Sequence, residues 1–287
     1  MDCLQSLAKN TALLTADDRP DLVEKSQRAA RKILADAEIN PTSSPQIANQ
    51  ILREIRRLSG VDDPFAEFKA REMKQARELF SQIEANVGET LRSRVALAAL
   101  GNTLDFFINP EQALAGISQQ FLNEMTFSRD DIDQLTACLR QPTGTVLYLT
   151  DNAGEIYFDR PLYEYIRSRS SQTILVVKGG PSLNDLTRAE LKIAGLEKRF
   201  DPVMDTGTDG AGIDWDTVSK DFLDLIASAD LVISKGMANF ETLYPRDMAA
   251  PVFFLFKAKC EPIQNYIQAP ANSFLALWKE GTKSEAV

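Results

Sequence analysis

Histidine is absent from all 287 residues. That removes Ser-His-Asp triads, Cys-His dyads, His-ligated zinc and imidazole acid–base chemistry. Catalysis by such a chain must use carboxylates, lysine, hydroxyls, cysteine or a bound ion. Cysteine is scarce: Cys3, Cys138 and Cys260 form no short metal-ligand pair, and an odd, widely spaced set fits a reducing compartment better than a disulfide framework. Positive charge is in deficit, 32 Lys and Arg against 41 Asp and Glu for a net charge of −9. A surface of that sign repels phosphate backbones, so no nucleic-acid partner is expected. A small anion remains admissible where a cation or a lysine cluster receives it. No apolar run reaches the roughly 18 residues that span a bilayer, so no membrane partner is expected. The start, with Asp2 and no basic-then-apolar pattern, does not read as a secretory signal. The expectation is a soluble, cytoplasmic protein; nothing in the sequence speaks to its oligomeric state.

What is present is an ordinary globular composition, 44% hydrophobic and 25% charged. Residues 1–140 read as a helical region, with apolar side chains at three- and four-residue spacing such as Phe68, Met73, Ala76, Leu79, Phe80 and Ile83. Breaks at Asp17–Pro20, Asn40–Pro45 and Asp62–Pro64 each put turn or cap residues ahead of a periodic segment. The spacing predicts a long helix over Glu67–Val87, and residues 94–100 look buried nearly all round. After Gln141-Pro142-Thr143-Gly144 the character changes. Short apolar runs at Thr145–Thr150, Thr173–Lys178, Leu231–Ser234 and Val252–Lys257, with a shorter one at Pro202–Met204, alternate with helix-like segments. That pattern implies an α/β fold, a mostly parallel sheet flanked by helices, over residues 141–287 and following the N-terminal all-helical region.

Ligands of open α/β sheets sit beyond the carboxyl ends of the strands. After the first run stand Asp151, Asn152, Gly154 and Glu155. After the second stand Lys178, Gly179, Gly180, Asn184 and Asp185. The later runs are followed by Asp205-Thr-Gly-Thr, by Lys235, Gly236, Asn239 and Glu241, and by Lys257 and Lys259. Any one of these has a bland reading: Asp151 or Asn184-Asp185 as helix caps, Lys235 as a strand-end lysine reaching for solvent. Their recurrence at one rim points instead to a site. Asp151, Asn152 and Asp185 offer the oxygen donors that magnesium or manganese prefers. Such a cation would neutralise a phosphate while Lys235, Lys257 and Lys259 hold its other oxygens. Without histidine, proton transfer falls to Asp151 or Glu155, and the residues alone do not separate base from ligand.

The ordered set Asp151-Asn-Ala-Gly-Glu155, Lys178-Gly-Gly-Pro-Ser-Leu-Asn184-Asp185, Asp205-Thr-Gly-Thr, Lys235-Gly-Met-Ala-Asn239-Phe-Glu241 and Lys257-Ala-Lys259-Cys260 resembles the DUF89 family. This is the family of damage-control, ARMT1-like phosphatases. Ala-Leu-Gly101-Asn102-Thr-Leu-Asp105 in the helical region resembles its stand-alone prokaryotic members. The resemblance implies a phosphoric monoester hydrolase that uses magnesium, manganese, cobalt or nickel on small phosphorylated metabolites, sugar phosphates or related damaged compounds. It maps metal ligands onto Asp151, Asn152 and Asp185, and catalytic carboxylates onto the Asp151–Glu155 motif. Substrate contacts map onto Asn184, Lys235, Asn239, Glu241 and Lys259, with Asn102 and Asp105 lining the pocket from the helical side. Stand-alone members often begin with Cys-x-x-Cys; here Ser6 follows Cys3, so Cys3 is expected to pack as a small hydrophobe.

Two rival readings differ in class. The glycine-rich stretch Asp205–Gly212 suggests an S-adenosylmethionine-dependent carboxyl methyltransferase, though the first strand ends in Asp-Asn rather than an open glycine turn. A non-catalytic metabolite-binding protein would suit the acidic surface and would need no metal.

Overall fold

Period-two alternation along the strands builds two cores from one sheet. A computed structural model describes residues 2–16, 19–39, 42–102 and 118–282. Five strands lie parallel: β2 (Thr143–Leu149), β3 (Ser170–Val177), β4 (Val203–Asp205), β5 (Leu231–Lys235) and β6 (Val252–Lys257). β7 (Phe274–Lys279) runs antiparallel to β6, and the two-residue β1 (Arg129–Asp130) joins β7 at the edge. The spatial order is β1-β7-β6-β5-β2-β3-β4. Val146, Tyr148, Leu231, Ile233, Phe253 and Leu255 face one core; Leu147, Leu149, Val232, Phe254 and Phe256 face the other. Because both faces are covered, these strands are apolar throughout.

The chain leaves β2 for β3 and β4 on one side, then returns to β5 on the other. The carboxyl ends of β2 and β5 therefore flank a topological switch point, where open α/β sheets hold ligands.

The helical region supplies one wall of that crevice. α4 (Ala66–Ile83) and α5 (Leu91–Gly101) pack in the first core with α7 (Ile132–Arg140) and α8 (Ile156–Arg167). Residues Val95–Ala99 of α5 are wholly buried, as their lack of a polar face predicts. α1 (Asp2–Ala16), α2 (Pro20–Ile39) and α3 (Ser44–Ser59) share a smaller core of Leu4, Ala30, Leu34, Ile47 and Ile51. Ser43 caps α3 in a reciprocal box with Gln46, so the Asn40–Pro45 break does start a helix. The expected helix over Glu67–Val87 ends at Ile83 and tightens into a 3-10 turn, Glu84–Asn86. A short helix, α6 (Gln119–Glu124), precedes β1. Beyond α8, α9 (Arg188–Ile193), α10 (Lys220–Ser228), α11 (Met237–Leu243) and α12 (Glu261–Ile267) complete the layers.

β1 and β7 were not expected. β1 is two exposed residues with no periodicity. Phe274-Leu-Ala-Leu-Trp-Lys279 is a six-residue apolar run that the pattern alone does not distinguish from a helical turn. Among the described residues, no helix is long and apolar enough to cross a membrane.

Candidate active site

β2 ends at Leu149, and Thr150 anchors its end by donating its hydroxyl to the Val176 carbonyl at 3.0 Å. Asp151 and Asn152 then leave the sheet. The 3-10 turn Ala153–Glu155 leads into α8, and neither Asn152 nor Glu155 caps it with a side chain. Thr187, not Asn184 or Asp185, caps α9. The polar residues of both loops are thus spared for other work. The loops are sewn together by backbone: Leu186 N–H donates to the Asp151 carbonyl at 2.9 Å, and Ala153 N–H to the Asn184 carbonyl at 2.8 Å. A β-bridge pairs Asn152 with Asp185. Gly236, after β5, completes the cradle: a Cβ there would stand 2.1 Å from the Asp151 carboxyl carbon. Its φ of +83° is also one that glycine adopts without strain.

Amides surround the carboxylates. Asn102, the residue that ends α5, donates Nδ2 to Asp151 Oδ2 at 2.8 Å and to Glu155 Oε1 at 2.6 Å. Its Oδ1 accepts the Lys257 N–H at 3.3 Å. Asn152 Nδ2 reaches Glu155 Oε1 at 2.5 Å and Asp151 Oδ2 at 3.3 Å, which leaves Oδ1 as the acceptor it can offer. Burial, then Glu155 and Asp185, push the Asp151 carboxyl well above the ordinary range; Lys259 and Lys235 oppose them. Asp185 is also raised, by burial first and by Glu155, against Lys178. Lys178 Nζ stands 3.6 Å from Asp185 Oδ2, an oxygen that makes no hydrogen bond.

Lys235 sits elsewhere than a phosphate contact would. It is fully buried, and its ammonium donates to the Ala98 carbonyl at 3.0 Å, Glu155 Oε2 at 2.8 Å and Asp159 Oδ1 at 2.5 Å. Those three bonds use its three donors. Burial works against its charge, yet Asp159 and Glu155 outweigh it and hold the pKa above the usual lysine range. Asn239 is spent in the same way: Nδ2 donates to Thr150 O and Lys235 O, and Oδ1 accepts from Lys178. Glu155 is wholly buried with both oxygens occupied. Asn184 donates to Glu72 Oε2 at 3.1 Å. Glu241 is half-buried, its pKa raised to about 7 by burial. Lys259 is exposed and near enough to lower the Asp151 pKa. Its proximity lowers Lys257, after burial. Asp105 lies outside the described residues. The glycine-rich stretch after β4 is occupied by protein. Arg53 and Arg56 of α3 bind Asp209, Ala211 N–H donates to Asn49 at 2.7 Å, and Lys178 donates to Gly212 O at 2.5 Å.

A family model for the damage-control phosphatase ARMT1-like domain matches residues 1–273. The chain belongs to this family. Among its relatives, a damage-control phosphatase of Pyrococcus horikoshii is 32% identical over 96% of both chains. One of Archaeoglobus fulgidus is 30% identical over 96% of both. A crystal structure of a DUF89 family protein from P. horikoshii superposes with a TM-score of 0.85 at 30% identity, covering 96% of each chain. The parallel sheet with its N-terminal helices is therefore the architecture of an ARMT1-like fold.

In this family member the donor set fits a divalent cation. Among the described residues, no three carboxylate or thiolate groups gather as a metal cage. Magnesium-type ions do not require one: they bind through one or two carboxylates and keep several waters. Asp185 is buried and Asp151 half-buried, both carboxylates are short of positive charge, and Asp185 Oδ2 makes no hydrogen bond. Two like charges in a low-dielectric site call for a proton or a cation between them.

Sequence reasoning missed Asp159, the second carboxylate on Lys235, and Glu72, whose carboxylate reaches the loops after β2 and β3 from α4. Asp159 falls on the buried face of α8, four residues after Glu155, and that spacing was the available signal. Glu72 carried none.

Proposed function

We propose that the chain hydrolyses small phosphorylated metabolites, with a divalent cation held by Asp151, Asn152 and Asp185. The observation that carries this reading is the charge-deficient pair Asp151 and Asp185 at the switch point, with exposed Lys259 beside it. The names of the archaeal relatives support phosphatase chemistry. Two carboxylates and an amide suit magnesium and manganese best, with cobalt and nickel as further ions that the family resemblance implies. When bound, such an ion neutralises the phosphate and polarises its P–O bonds.

The protein's own groups divide the remaining work. Exposed Lys259 and half-buried Lys257 receive phosphate oxygens. Asp151 is the carboxylate placed to exchange a proton with the attacking water: its Oδ2 is fixed by Asn102 and its Oδ1 is left over. Glu155 is a positioning residue, turning the Asn102 and Asn152 amides, because its own oxygens are already accepting. Lys235 donates to Glu155 Oε2 at 2.8 Å and holds that carboxylate in place for the task.

Phosphate release from p-nitrophenyl phosphate and a panel of sugar phosphates tests this, in manganese, magnesium, cobalt or nickel and in EDTA. Turnover with a cation and none in EDTA is expected. Equal turnover in EDTA would remove the cation from the proposal; no release anywhere in the panel would remove the phosphatase.

A further inference from the structure

We infer that Glu72 is a positioning residue that sets the spacing between the two loops carrying the proposed cation ligands. Its side chain is 3% exposed, and it comes from the middle of α4, outside the α/β layer. Oε1 accepts the Gly154 N–H at 3.2 Å, two residues after Asn152. Oε2 accepts from Asn184 Nδ2 at 3.1 Å, one residue before Asp185. One rigid carboxylate thus spans the loop after β2 and the loop after β3.

The approach is tight. A Cβ on Gly154 would lie 2.8 Å from Glu72 Cγ and 2.9 Å from Oε1, so glycine is what lets the clamp close. One turn earlier, on the same face of α4, buried Lys69 pairs with Asp63 at 2.8 Å and with Glu190 of α9 at 2.6 Å. α4 therefore grips α9 through Glu190 and the loop before it through Asn184, and Glu72 extends that grip to the β2 loop.

Charge makes this placement costly unless it does something. Burial, Glu155 and Asp185 raise the Glu72 carboxyl to about 7, while the bonds from Asn184 and Gly154 oppose them. A buried carboxylate beside Glu155 and Asp185 is disfavoured on stability alone. Partners that orient metal ligands typically change metal affinity about 10–100-fold when removed.

The inference rests on the cation reading above, and the test separates the two. Manganese binding to the full chain is titrated by calorimetry and by electron paramagnetic resonance, beside metal-free melting curves, for wild type, Glu72→Ala and Glu72→Gln. Glu72→Ala should bind manganese about tenfold more weakly or worse. Glu72→Gln should stay close to wild type, because its amide can accept from Gly154 and, with Asn184 turned over, donate to that side chain. Wild type that binds no manganese would overturn both readings. Wild type and Glu72→Ala binding equally well, with only the melting temperature lowered, would overturn this one alone. Loss in Glu72→Gln equal to that in Glu72→Ala would mean that charge acts and position does not, which also overturns it. If Glu72→Ala does not fold, Glu72→Asp, too short to span both contacts, replaces it with the same expectation.

Discussion

Around Lys235, buried charge is met by contact. Its ammonium touches both Glu155 and Asp159, and Glu155 also takes two amide N–H bonds. The Tyr148 hydroxyl lies beside Asp159 without closing a hydrogen bond. Around Asp151, charge is left unmet. Among the described residues no lysine or arginine pairs with Asp151 within ion-pair distance. Asp185 has only Lys178, at 3.6 Å. Both clusters come from the ends of the same strands and share Glu155 as a neighbour. Their difference separates scaffold from workplace. The Lys235 cluster pairs its charges in direct contact, even though Asp159 Oδ2 makes no hydrogen bond, and so fixes positions. An unsaturated one holds a standing demand for a proton or a cation. Strand-end polarity is common to both, which is why Lys235 and Lys259 look alike in the sequence and differ in the fold.

Breaking the open half should have the largest effect. Asp151→Asn keeps the shape and the Asn102 contact but removes charge from the deficient pair. Turnover is expected to fall on the order of 10³-fold, within the range for loss of an acid–base or ligand group, with melting temperature nearly unchanged. Burial and two carboxylates disfavour the ionised form of Asp151, so the metal-free variant should unfold no more easily than wild type at pH 8. Steady-state kinetics with a manganese series and a thermal melt check both halves. Retained turnover with unchanged metal dependence would return Asp151 to the scaffold.

Breaking the closed half should act on stability first. Lys235→Met fits a similar stem into the same space and strands Glu155 and Asp159 without their cation. Removing one partner of a buried ion cluster costs about 3–5 kcal/mol, read as a drop in the denaturant midpoint. Asp159, already at about 6 through burial against Lys235, would lose that opposing charge and bind a proton at higher pH. Phosphate affinity that collapses in a variant with wild-type stability would instead restore Lys235 to the substrate.

The same contrast explains what was legible. β2, β3, β5 and β6 read clearly because strands covered on both faces are apolar throughout. The placement of Asp151, Asn152 and Asp185 in the loops after β2 and β3 could be read because apolar runs precede those loops, and the family motif added Asn102. What did not read is what arrives from far away. Glu72 meets Gly154 across 82 residues and Asn184 across 112, and a helix position three residues past Lys69 has no local mark of that. The fate of Lys235 was hidden for a related reason: whether a strand-end lysine reaches solvent or carboxylates depends on α5 and α8 packing over it.

A half-buried carboxylate outside both clusters sharpens the comparison with the smallest effect. Burial raises Glu241 from 4.5 to about 7. The sign follows from proton uptake. A carboxyl whose folded pKa exceeds its unfolded value binds more protons folded than unfolded between the two values. Its favourable contribution is whole below about 4.5 and is lost as pH rises through about 7. A shift of that size corresponds to roughly 3 kcal/mol, and partial exposure reduces it to on the order of 1–2. Glu241→Gln should therefore be the more stable protein at pH 8 by that amount and match wild type near pH 4.5. Urea midpoints at pH 4.5, 6 and 8 measure it. A constant offset at all three would mean that Glu241 stays ionised and has a cation near it. Glu241 would then belong with the paired carboxylates around Lys235 rather than with the unmet charge around Asp151.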